Sequence, residues 1–350
     1  MQQYKNLMRR CITLAKKGIG KTSPNPLVGC VIVDDDFNII STGYHKKYGD
    51  NHAERDALLK VGNAKGLTLI VNLEPCSHFG KTPPCADFII EKGIKRVVYG
   101  MKDVNRIVAG NGLKKLERAG IEIIGPVLED ECKKLNEVFI KNKTQAKTFV
   151  ALKTATTIDG KIATYCNDSK WITSDKARKE VRNIRKKYDA ILTSSSTVIA
   201  DNPTMKHTKK IVLDRELKTN FNSIIYKHGE IIVFHDKEIK APTNSKIKFI
   251  GVSVKDNKLD IKEILDKIFE LGIMSVLVEA GGKLNNTLLP SVDKLYHFIA
   301  PKILGDNNGK SCFYGSKISK ISECIDLKFV NMKVYKPDIM LVYDKSTNNN

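Results

Sequence analysis

The stretch that decides the fold of the first half of the chain runs from His52 to Cys85 and reads HAERDALLKVGNAKGLTLIVNLEPCSHFGKTPPC. It holds His52 with Glu54 two residues later, and the two cysteines Cys76 and Cys85. Imidazole and thiolate groups are preferred zinc ligands, and three protein ligands leave the fourth tetrahedral position open. We therefore expect His52, Cys76 and Cys85 to bind Zn²⁺ in a site of the catalytic kind.

Glu54 completes the pattern of a zinc-dependent deaminase. In such enzymes a zinc ion held by His and Cys activates water, and a nearby Glu that is not a ligand carries protons. The His-x-Glu spacing followed by Pro-Cys predicts Glu54 as the catalytic proton shuttle. His52 and Cys85 are expected to begin helices that follow strands, and helix N-termini stabilise thiolate anions.

A chain of 350 residues is longer than most single domains, so we expect two domains, 1–146 and 147–345. Apolar patterning in the first half predicts helices at 3–17, 52–59, 85–93 and 112–119, and strands at 28–33, 39–44, 68–73, 96–100 and 122–124. Residues 133–147 read as Lys-rich and weakly structured. In the second half the pattern predicts helices at 176–187 and 261–271, and strands at 149–153, 190–193, 211–214, 231–234, 247–250 and 275–279. This alternation predicts an α/β fold.

Composition excludes several classes of protein. The net charge of +20 is spread over both halves, so it does not mark a nucleic-acid-binding stripe. No apolar run is long enough to span a membrane and no export signal is visible, so we expect a cytoplasmic protein. The eight cysteines show no disulfide framework, and we expect all but Cys76 and Cys85 to be reduced packing residues.

The sequence resembles the bifunctional deaminase/reductase family of bacterial riboflavin biosynthesis, over roughly residues 4–342. The most specific feature is the eight-residue interval between Cys76 and Cys85, where cytidine and tRNA deaminases have two residues. Further segments carry the resemblance: PNPLVG at 24–29, GYH at 43–45, TIDGK at 157–161, DSKWIT at 168–173, DNP at 201–203 and VEAGG at 278–282.

The resemblance implies two consecutive reactions in one chain. The first half, with a cytidine-deaminase-like three-layer α/β/α fold, would deaminate 2,5-diamino-6-(5-phosphoribosylamino)pyrimidin-4(3H)-one. The second half, with a dihydrofolate-reductase-like α/β fold, would use NADPH to reduce the ribosyl side chain to ribityl. Zn²⁺ and NADPH are the implied cofactors. The implied partner is a small phosphoribosylaminopyrimidine, without nucleic acid or membrane, and a homodimer is one expected assembly.

The resemblance also implies residue roles. In the first half it places the substrate against Asn25 and His45, with His78 as a further contact and Lys81 and Thr82 near the phosphate. In the second half it assigns NADPH to Ala155, Trp171, Thr197, Asp201, Gly281, Gly282, Lys283, Leu284, Asn285, Asn286 and Thr287. It assigns the reductase substrate to Ser169, Arg185, Met205 and Glu279.

The second half departs from the family at two positions. Family members usually carry an Arg that binds the substrate phosphate shortly after Asp-Asn-Pro, whereas this chain has Thr208 there. Lys206, Lys209 or Lys210 are candidates to compensate, although Lys does not reproduce the bidentate geometry of Arg. Arg215 stands where a small residue is usual, next to the expected cofactor site.

Three alternatives remain at this point. An active deaminase could be joined to a degenerate reductase, because of Thr208. A tRNA deaminase would share the zinc ligands and Glu54, but it leaves the second half unexplained. A zinc-stabilised scaffold would need no Glu54 and would close the metal with a fourth protein ligand, for which His78 is the candidate.

Overall fold

The computed structural model describes residues 1–78, 83–105, 110–244 and 246–346. The chain divides into two units, Met1–Ala146 and Lys147–Asn350. Within the described residues no helix is long and apolar enough to cross a membrane. All eight cysteines are free. The expected positions Lys81 and Thr82 lie outside the described residues.

The first unit has six helices and five strands in its described part. The helices are α1 (Gln2–Ala15), α2 (Ala53–Leu58), α3 (Cys85–Glu91), α4 (Asn111–Arg118), α5 (Glu129–Leu135) and α6 (Glu137–Gln145). The strands are β1 (Gly29–Val33), β2 (Ile39–Tyr44), β3 (Thr68–Val71), β4 (Arg96–Tyr99) and β5 (Glu122–Ile124). Helices thus alternate with strands along much of the unit, as the sequence predicts.

The five strands form one sheet in the order β2-β1-β3-β4-β5. Strand β1 pairs antiparallel with β2 and β3, while β3, β4 and β5 are parallel. Every residue of β1 and β3 is buried, which explains their uninterrupted apolar sequences.

Two glycines show that α1 and α2 cover opposite faces of this sheet. A Cβ at Gly29 would lie 2.1 Å from the Cys11 carbonyl oxygen in α1, and a Cβ at Gly43 would lie 2.3 Å from the Ala53 carbonyl oxygen in α2. Gly43 pairs with Cys30, the neighbour of Gly29 in β1, and successive residues of a strand point to opposite faces. The expected α/β/α layering is confirmed.

Residues 133–147 differ from the expectation of weak structure. Helices α5 and α6 cover most of this segment, and α6 ends at Ala146 in the left-handed conformation with φ 52°. Its Lys residues lie on half-buried helices, where the side chain of Lys133 pairs with Glu129 at 2.9 Å and that of Lys134 with Glu137 at 3.0 Å. Such pairs one turn apart support a helix that is weakly apolar.

The second unit has four helices and thirteen strands in its described part. The helices are α7 (Asp175–Arg185), α8 (Ser195–Asp201), α9 (Ile261–Glu270) and α10 (Gly282–Leu288). The first strands are β6 (Phe149–Thr156), β7 (Lys161–Ala163), β8 (Ala190–Ser194), β9 (Lys209–Leu213), β10 (Glu230–Asp236), β11 (Ile247–Val252), β12 (Val254–Lys255) and β13 (Lys258–Leu259). The last strands are β14 (Ser275–Val278), β15 (Lys294–Ile299), β16 (Lys310–Ser311), β17 (Leu327–Tyr335) and β18 (Asp338–Lys345).

Nine of these strands form a single sheet in the order β11-β10-β9-β8-β14-β6-β15-β18-β17. The strands from β11 to β15 are parallel, and β18 and β17 add an antiparallel edge. The six strands expected from sequence are present. Strands β15, β17 and β18 were not expected, because the exposed β17 alternates Lys and Asn with apolar residues and lacks a buried run.

Gly43→Ala should lower the free energy of unfolding of the first unit by about 1–3 kcal/mol, the usual cost of overpacking. The added methyl group would enter the space occupied by the α2 backbone at Ala53 and Ala57. Urea denaturation followed by circular dichroism measures the change. Gly62→Ala is the matched control, because nothing lies within 4 Å of a Cβ built at Gly62. Equal stability of the two variants would contradict the close approach.

Candidate active sites

The three expected metal ligands converge in the first unit. His52 is the N-cap residue of α2, Cys85 is the first residue of α3, and Cys76 lies in the loop that follows β3. The His52 Nδ1 lies 3.6 Å from the Cys76 Sγ and 3.4 Å from the Cys85 Sγ. The candidate ligand atoms all lie within 4.8 Å of one another, so one ion can reach all three.

The electrostatics of this cluster suit a metal cation. Hydrogen bonds with Cys85 and then with His52 lower the pKa of Cys76 to about 4, and the Cys85 backbone N–H donates to its Sγ at 3.4 Å. Interaction with Cys76 in turn raises the pKa of His52. The thiolate is the form that binds metal. One imidazole and two thiol groups, half-buried or buried, are a donor set that fits zinc and leaves a position open.

Glu54 lies in the first turn of α2, two residues after His52, and its side chain is 4% exposed. Burial raises its pKa to about 7, because a low-dielectric environment disfavours the charged carboxylate. A carboxyl group with a pKa near neutrality can both accept and donate a proton at physiological pH. The geometry therefore gives Glu54 the properties of a proton shuttle beside the candidate metal ligands.

A cavity of about 260 Å³ opens beside this cluster. His52, Glu54 and Cys76 form part of its wall. The sequence-predicted residues Asn25, His45 and His78 also line it. The structure thus brings the deaminase residues predicted from sequence and described here around one cavity.

His45 has a defined hydrogen-bonding role at this cavity. Its Nδ1 lies 3.0 Å from the Asn51 carbonyl oxygen, which requires an N–H there, and its Nε2 lies 3.2 Å from the Asn25 Nδ2. Burial lowers the pKa of His45, which favours the neutral ring. The neutral tautomer with N–H at Nδ1 satisfies both contacts and fixes the orientation of Asn25.

Sequence reasoning missed several residues of the cavity wall. Among them are Tyr48, Asp50, Glu74, Asp103, Phe139 and Lys143. Phe139 and Lys143 come from α6, in the segment expected to be weakly structured. Because these residues are distant in sequence from the metal motif, only the folded chain reveals that they share its cavity.

Most of the reductase residues predicted from sequence lie at one edge of the second sheet. Strands β8, β14 and β6 are parallel neighbours, so their carboxyl ends meet at that edge. Ala155 is the penultimate residue of β6, Thr197 and Asp201 belong to the helix after β8, and Glu279 directly follows β14. The carboxyl edge of a parallel sheet is the usual place of ligand sites in α/β folds.

Glu279 is the centre of a buried ion cluster at this edge. The Arg185 side chain donates to its two carboxylate oxygens at 2.6 and 3.1 Å, and the Lys153 Nζ lies 3.5 Å from it. Burial alone would raise the pKa of Glu279, but Lys153 and Arg185 lower it to about 2. The carboxylate is therefore ionised and held in one orientation.

The remaining predicted residues lie on adjoining loops. The Ser169 Oγ donates to Asp201 Oδ1 at 3.5 Å. The Trp171 ring is 62% exposed and stacks against the Arg178 guanidinium at 4.2 Å, and the Lys302 Nζ donates to its carbonyl oxygen at 2.7 Å. The Trp171 side chain is thus exposed and does not pack in the core, and Lys302 holds its carbonyl group.

The Gly281–Thr287 turn forms the start of α10, with Gly281 as N-cap. Open space lies in front of Gly281, since no atom lies within 4 Å of a Cβ built there. Asn285 is 1% exposed, and its Oδ1 has no hydrogen-bond partner among the described residues. The buried Asn285 side chain donates to the Cys312 carbonyl oxygen and anchors α10. The open space at Gly281 is therefore the feature of this turn that leaves room for a ligand.

Two expectations about the segment after Asp201 need correction. The Met205 side chain is 6% exposed and packs in a core cluster with Val198 and Val212, so any substrate contact is left to its main chain. Lys210 is 2% exposed and its Nζ donates to the Ile225 carbonyl oxygen, so it is not available to replace the usual Arg.

The other candidates near Thr208 have different environments. Lys209 pairs with Glu230 at 3.2 Å, whereas Lys206 is exposed. Arg215 donates to the Asn257 carbonyl oxygen at 3.0 Å and pairs with Glu216. Three lysines were candidates to replace the usual phosphate-binding Arg. Of these, Lys206 is the one whose ammonium group stays accessible to a phosphate.

Two family models match the chain. Residues 1–101 match the cytidine and deoxycytidylate deaminase zinc-binding region, which includes His52, Cys76 and Cys85. Residues 148–341 match the RibD C-terminal domain, which is more than half of the chain. The two matches fall on the two units that the structure shows.

Curated relatives and solved structures agree with these models. The riboflavin biosynthesis protein RibD of Actinobacillus pleuropneumoniae is 38% identical over 96% of this chain and 94% of its own, and that of Aquifex aeolicus is 43% identical over 86% and 88%. The structure of the Acinetobacter baumannii RibD has 32% identity and a TM-score of 0.89, with 99% of each chain covered.

A Thermotoga maritima structure described as a diaminohydroxyphosphoribosylaminopyrimidine deaminase/5-amino-6-(5-phosphoribosylamino)uracil reductase has 40% identity, a TM-score of 0.89 and 99% coverage of each chain. The resemblance inferred from the sequence motifs is confirmed. The chain belongs to the RibD family of riboflavin biosynthesis, in which a zinc-binding deaminase domain precedes a reductase domain.

Proposed function

We propose that this chain catalyses two consecutive steps of riboflavin biosynthesis. The first unit hydrolytically deaminates 2,5-diamino-6-(5-phosphoribosylamino)pyrimidin-4(3H)-one. The second unit then reduces the ribosyl side chain with NADPH to give 5-amino-6-(5-phosphoribitylamino)uracil. The observation that carries the proposal is the convergence of His52, Cys76 and Cys85, next to a cavity whose wall includes the buried Glu54.

In the first unit, His52, Cys76 and Cys85 hold the zinc ion, which supplies Lewis-acid activation of water when bound. Glu54 accepts the proton of that water on a carboxylate oxygen and delivers it to a ring nitrogen. It then takes the proton of the hydroxyl group that the ring carbon has gained and passes it to the amino group, which leaves as ammonia while the carbonyl group forms. Its burial supports this role, because solvent does not compete for the proton.

Asn25 and His45 are proposed to contact the pyrimidine. Their hydrogen bond and the bond from His45 to Asn51 orient both side chains before substrate arrives. Preorganised polar groups lose less entropy on binding than mobile ones do. The cavity of about 260 Å³ suits a small heterocycle such as the pyrimidine ring.

In the second unit, NADPH is proposed to lie along the carboxyl edge of β8, β14 and β6. The exposed Trp171 ring, Ala155, Thr197, Asp201 and the Gly281–Thr287 turn would hold it. When bound, NADPH supplies the hydride. Glu279 is ionised and fixed by Arg185 and Lys153, so it is suited to accept hydrogen bonds from ribosyl hydroxyl groups.

An active deaminase with a degenerate reductase is the second candidate function. The observation that favours it is Thr208 in place of the usual phosphate-binding Arg, together with the burial of Lys210. The intact ion cluster around Glu279 supports a working reductase.

A cytoplasmic location stays a prediction from the sequence.

We further propose that the chain forms a homodimer through β17. This strand ends the nine-stranded sheet, so its outer edge has no strand partner within the described part of the chain. Its apolar side chains are exposed, including Phe329 and Val334 at 58% each and Met332 at 52%. A long apolar edge strand pairs readily with another chain, and two-fold symmetric pairing is the commonest assembly.

A coupled assay of the purified protein tests the proposed function. Given zinc, NADPH and the diaminopyrimidine ribotide, the chain should release ammonia and consume NADPH in equal amounts. Ammonia release is followed with glutamate dehydrogenase after quenching, and NADPH by its absorbance. Ammonia without NADPH consumption would assign a degenerate reductase. Release of neither, with zinc bound, would contradict the proposed function.

Glu54→Gln should abolish ammonia release, by about a hundredfold or more, because the amide cannot carry a proton. Zinc content should stay at one ion per chain, since Glu54 is not a ligand. NADPH consumption on the deaminated intermediate provides the internal control, because that reaction belongs to the second unit. Retention of wild-type ammonia release would remove the shuttle role.

The double variant Phe329→Lys/Val334→Lys should be monomeric, because it places charges on the outer edge of β17. Light scattering coupled to gel filtration should give the mass of two chains for the wild type and of one for the variant. Ile321→Lys is the control, because Ile321 is 88% exposed but lies outside the strand. A dimeric double variant, or a monomeric wild type, would contradict assembly through β17.

A further inference from the structure

We propose that Glu74 is a positioning residue of the deaminase site, and that it sets substrate affinity by holding one wall of the cavity. The inference rests on the proposed function of the first unit. Glu74 is 3% exposed, lies two residues before Cys76 and belongs to the cavity wall. The segment that it holds, called the wall segment below, comprises residues 103–105, of which Asp103 and Asn105 line the cavity, and residues 110–113 at the start of α4.

Both carboxylate oxygens of Glu74 accept main-chain N–H groups of the wall segment. Oε2 accepts from Asp103 at 3.1 Å and from Gly110 at 3.0 Å. Oε1 accepts from Gly112 at 3.1 Å and from Leu113 at 3.4 Å. Oε2 therefore joins Asp103 to the start of α4, and Oε1 holds the first turn of α4, so one side chain fixes both parts of the segment.

The start of α4 depends on this carboxylate. Gly110, the N-cap residue, has no side chain to accept the first N–H groups of the helix, and it adopts a left-handed φ of 76°. Glu74 accepts those N–H groups in its place, from outside the helix. A negative charge at a helix N-terminus is also stabilised by the helix dipole.

The contact between Glu74 and α4 requires the start of α4 to lie close to the loop that carries Cys76. A Cβ built at Gly112 would lie 1.9 Å from the Pro75 carbonyl oxygen and 3.3 Å from Glu74 Oε1. The absence of a side chain at Gly112 therefore lets α4 reach the loop that carries Cys76. The metal-binding loop and the wall segment are joined directly through neighbouring residues.

Fixing Asp103 fixes the part of the wall that faces the substrate. Asp103 and Asn105 both line the cavity, and the Asn105 N–H donates to Asp103 Oδ1 at 2.8 Å. Loss of the Glu74 contact to the Asp103 N–H would release this turn. Glu74 itself has no role in proton transfer in this proposal, because its two oxygens are already occupied by N–H donors.

Glu74→Gln tests the proposal, because the amide has the same shape but only one acceptor oxygen. In either orientation its NH₂ group faces two N–H donors: Asp103 and Gly110 in one, Gly112 and Leu113 in the other. Two donors thus lose their acceptor and are repelled, which loosens the wall segment. The KM for the diaminopyrimidine ribotide should rise at least about tenfold, the factor that corresponds to the loss of a hydrogen bond to a charged group. The kcat for ammonia release should change less than threefold, and zinc content should not change.

Two further variants complete the experiment. Glu74→Asp keeps both acceptor oxygens and should recover a large part of the affinity. Asp34→Asn makes the same carboxylate-to-amide change at a residue that accepts the Asp36 and Asn38 main-chain N–H groups but lies outside the cavity wall. Its KM should equal that of the wild type.

The outcomes separate this inference from the proposed function. If the wild type releases no ammonia, the proposed deaminase function is contradicted, whatever the Glu74 variants show. If the wild type is active and Glu74→Gln keeps the wild-type KM, the positioning role is wrong. Loss of zinc from Glu74→Gln, or a fall in kcat with unchanged KM, would also overturn it. The circular dichroism and the urea denaturation midpoint of each variant, compared with those of the wild type, verify that the first unit is folded.

Discussion

The close approach of α2 to β2 is the constraint on which the deaminase half depends. Helix α2 carries Glu54 and begins at His52, and only the missing side chain of Gly43 lets its backbone lie against the sheet. The buried strand β3 then delivers Cys76, and α3 begins with Cys85. The starts of α2 and α3 and the loop after β3 thus bring their ligand side chains close enough to bind one cation. The geometry exists because hydrophobic burial places the strands first.

The second unit arranges its candidate site around a buried cluster of ion pairs. Its parallel strands bring residues distant in sequence to one sheet edge, where Glu279 is held by two cations in a buried setting. A buried carboxylate of this kind is costly unless it is fully paired. The pairing fixes its charge and direction, which a substrate-binding group needs. Both halves therefore bury a glutamate, but with opposite results: burial raises the pKa of Glu54, whereas the paired Lys153 and Arg185 outweigh burial and lower the pKa of Glu279.

Local sequence patterns predicted much of this architecture. The apolar runs of β1, β3 and β14 and the metal motif are short-range signals, and they gave the α/β class and the deaminase ligands. The β17–β18 edge escaped prediction because an exposed strand has no buried pattern. The roles of Glu74, Asp103 and Phe139 also escaped, since they depend on contacts between residues far apart in the chain. The burial of Lys210 runs against the usual exposure of Lys, so no sequence rule would have found it.

The exposed Trp171 ring gives the second half of the chain an intrinsic optical signal. It is the single tryptophan of the sequence, and the first unit therefore contributes none of the indole emission. The ring stacks on Arg178 at the edge where the cofactor is proposed to lie, so its emission is sensitive to what occupies that edge. Energy transfer from this indole to a reduced nicotinamide would report on cofactor binding in the reductase half alone. Occupancy of the reductase half can thus be followed in the intact chain without an indole signal from the deaminase half.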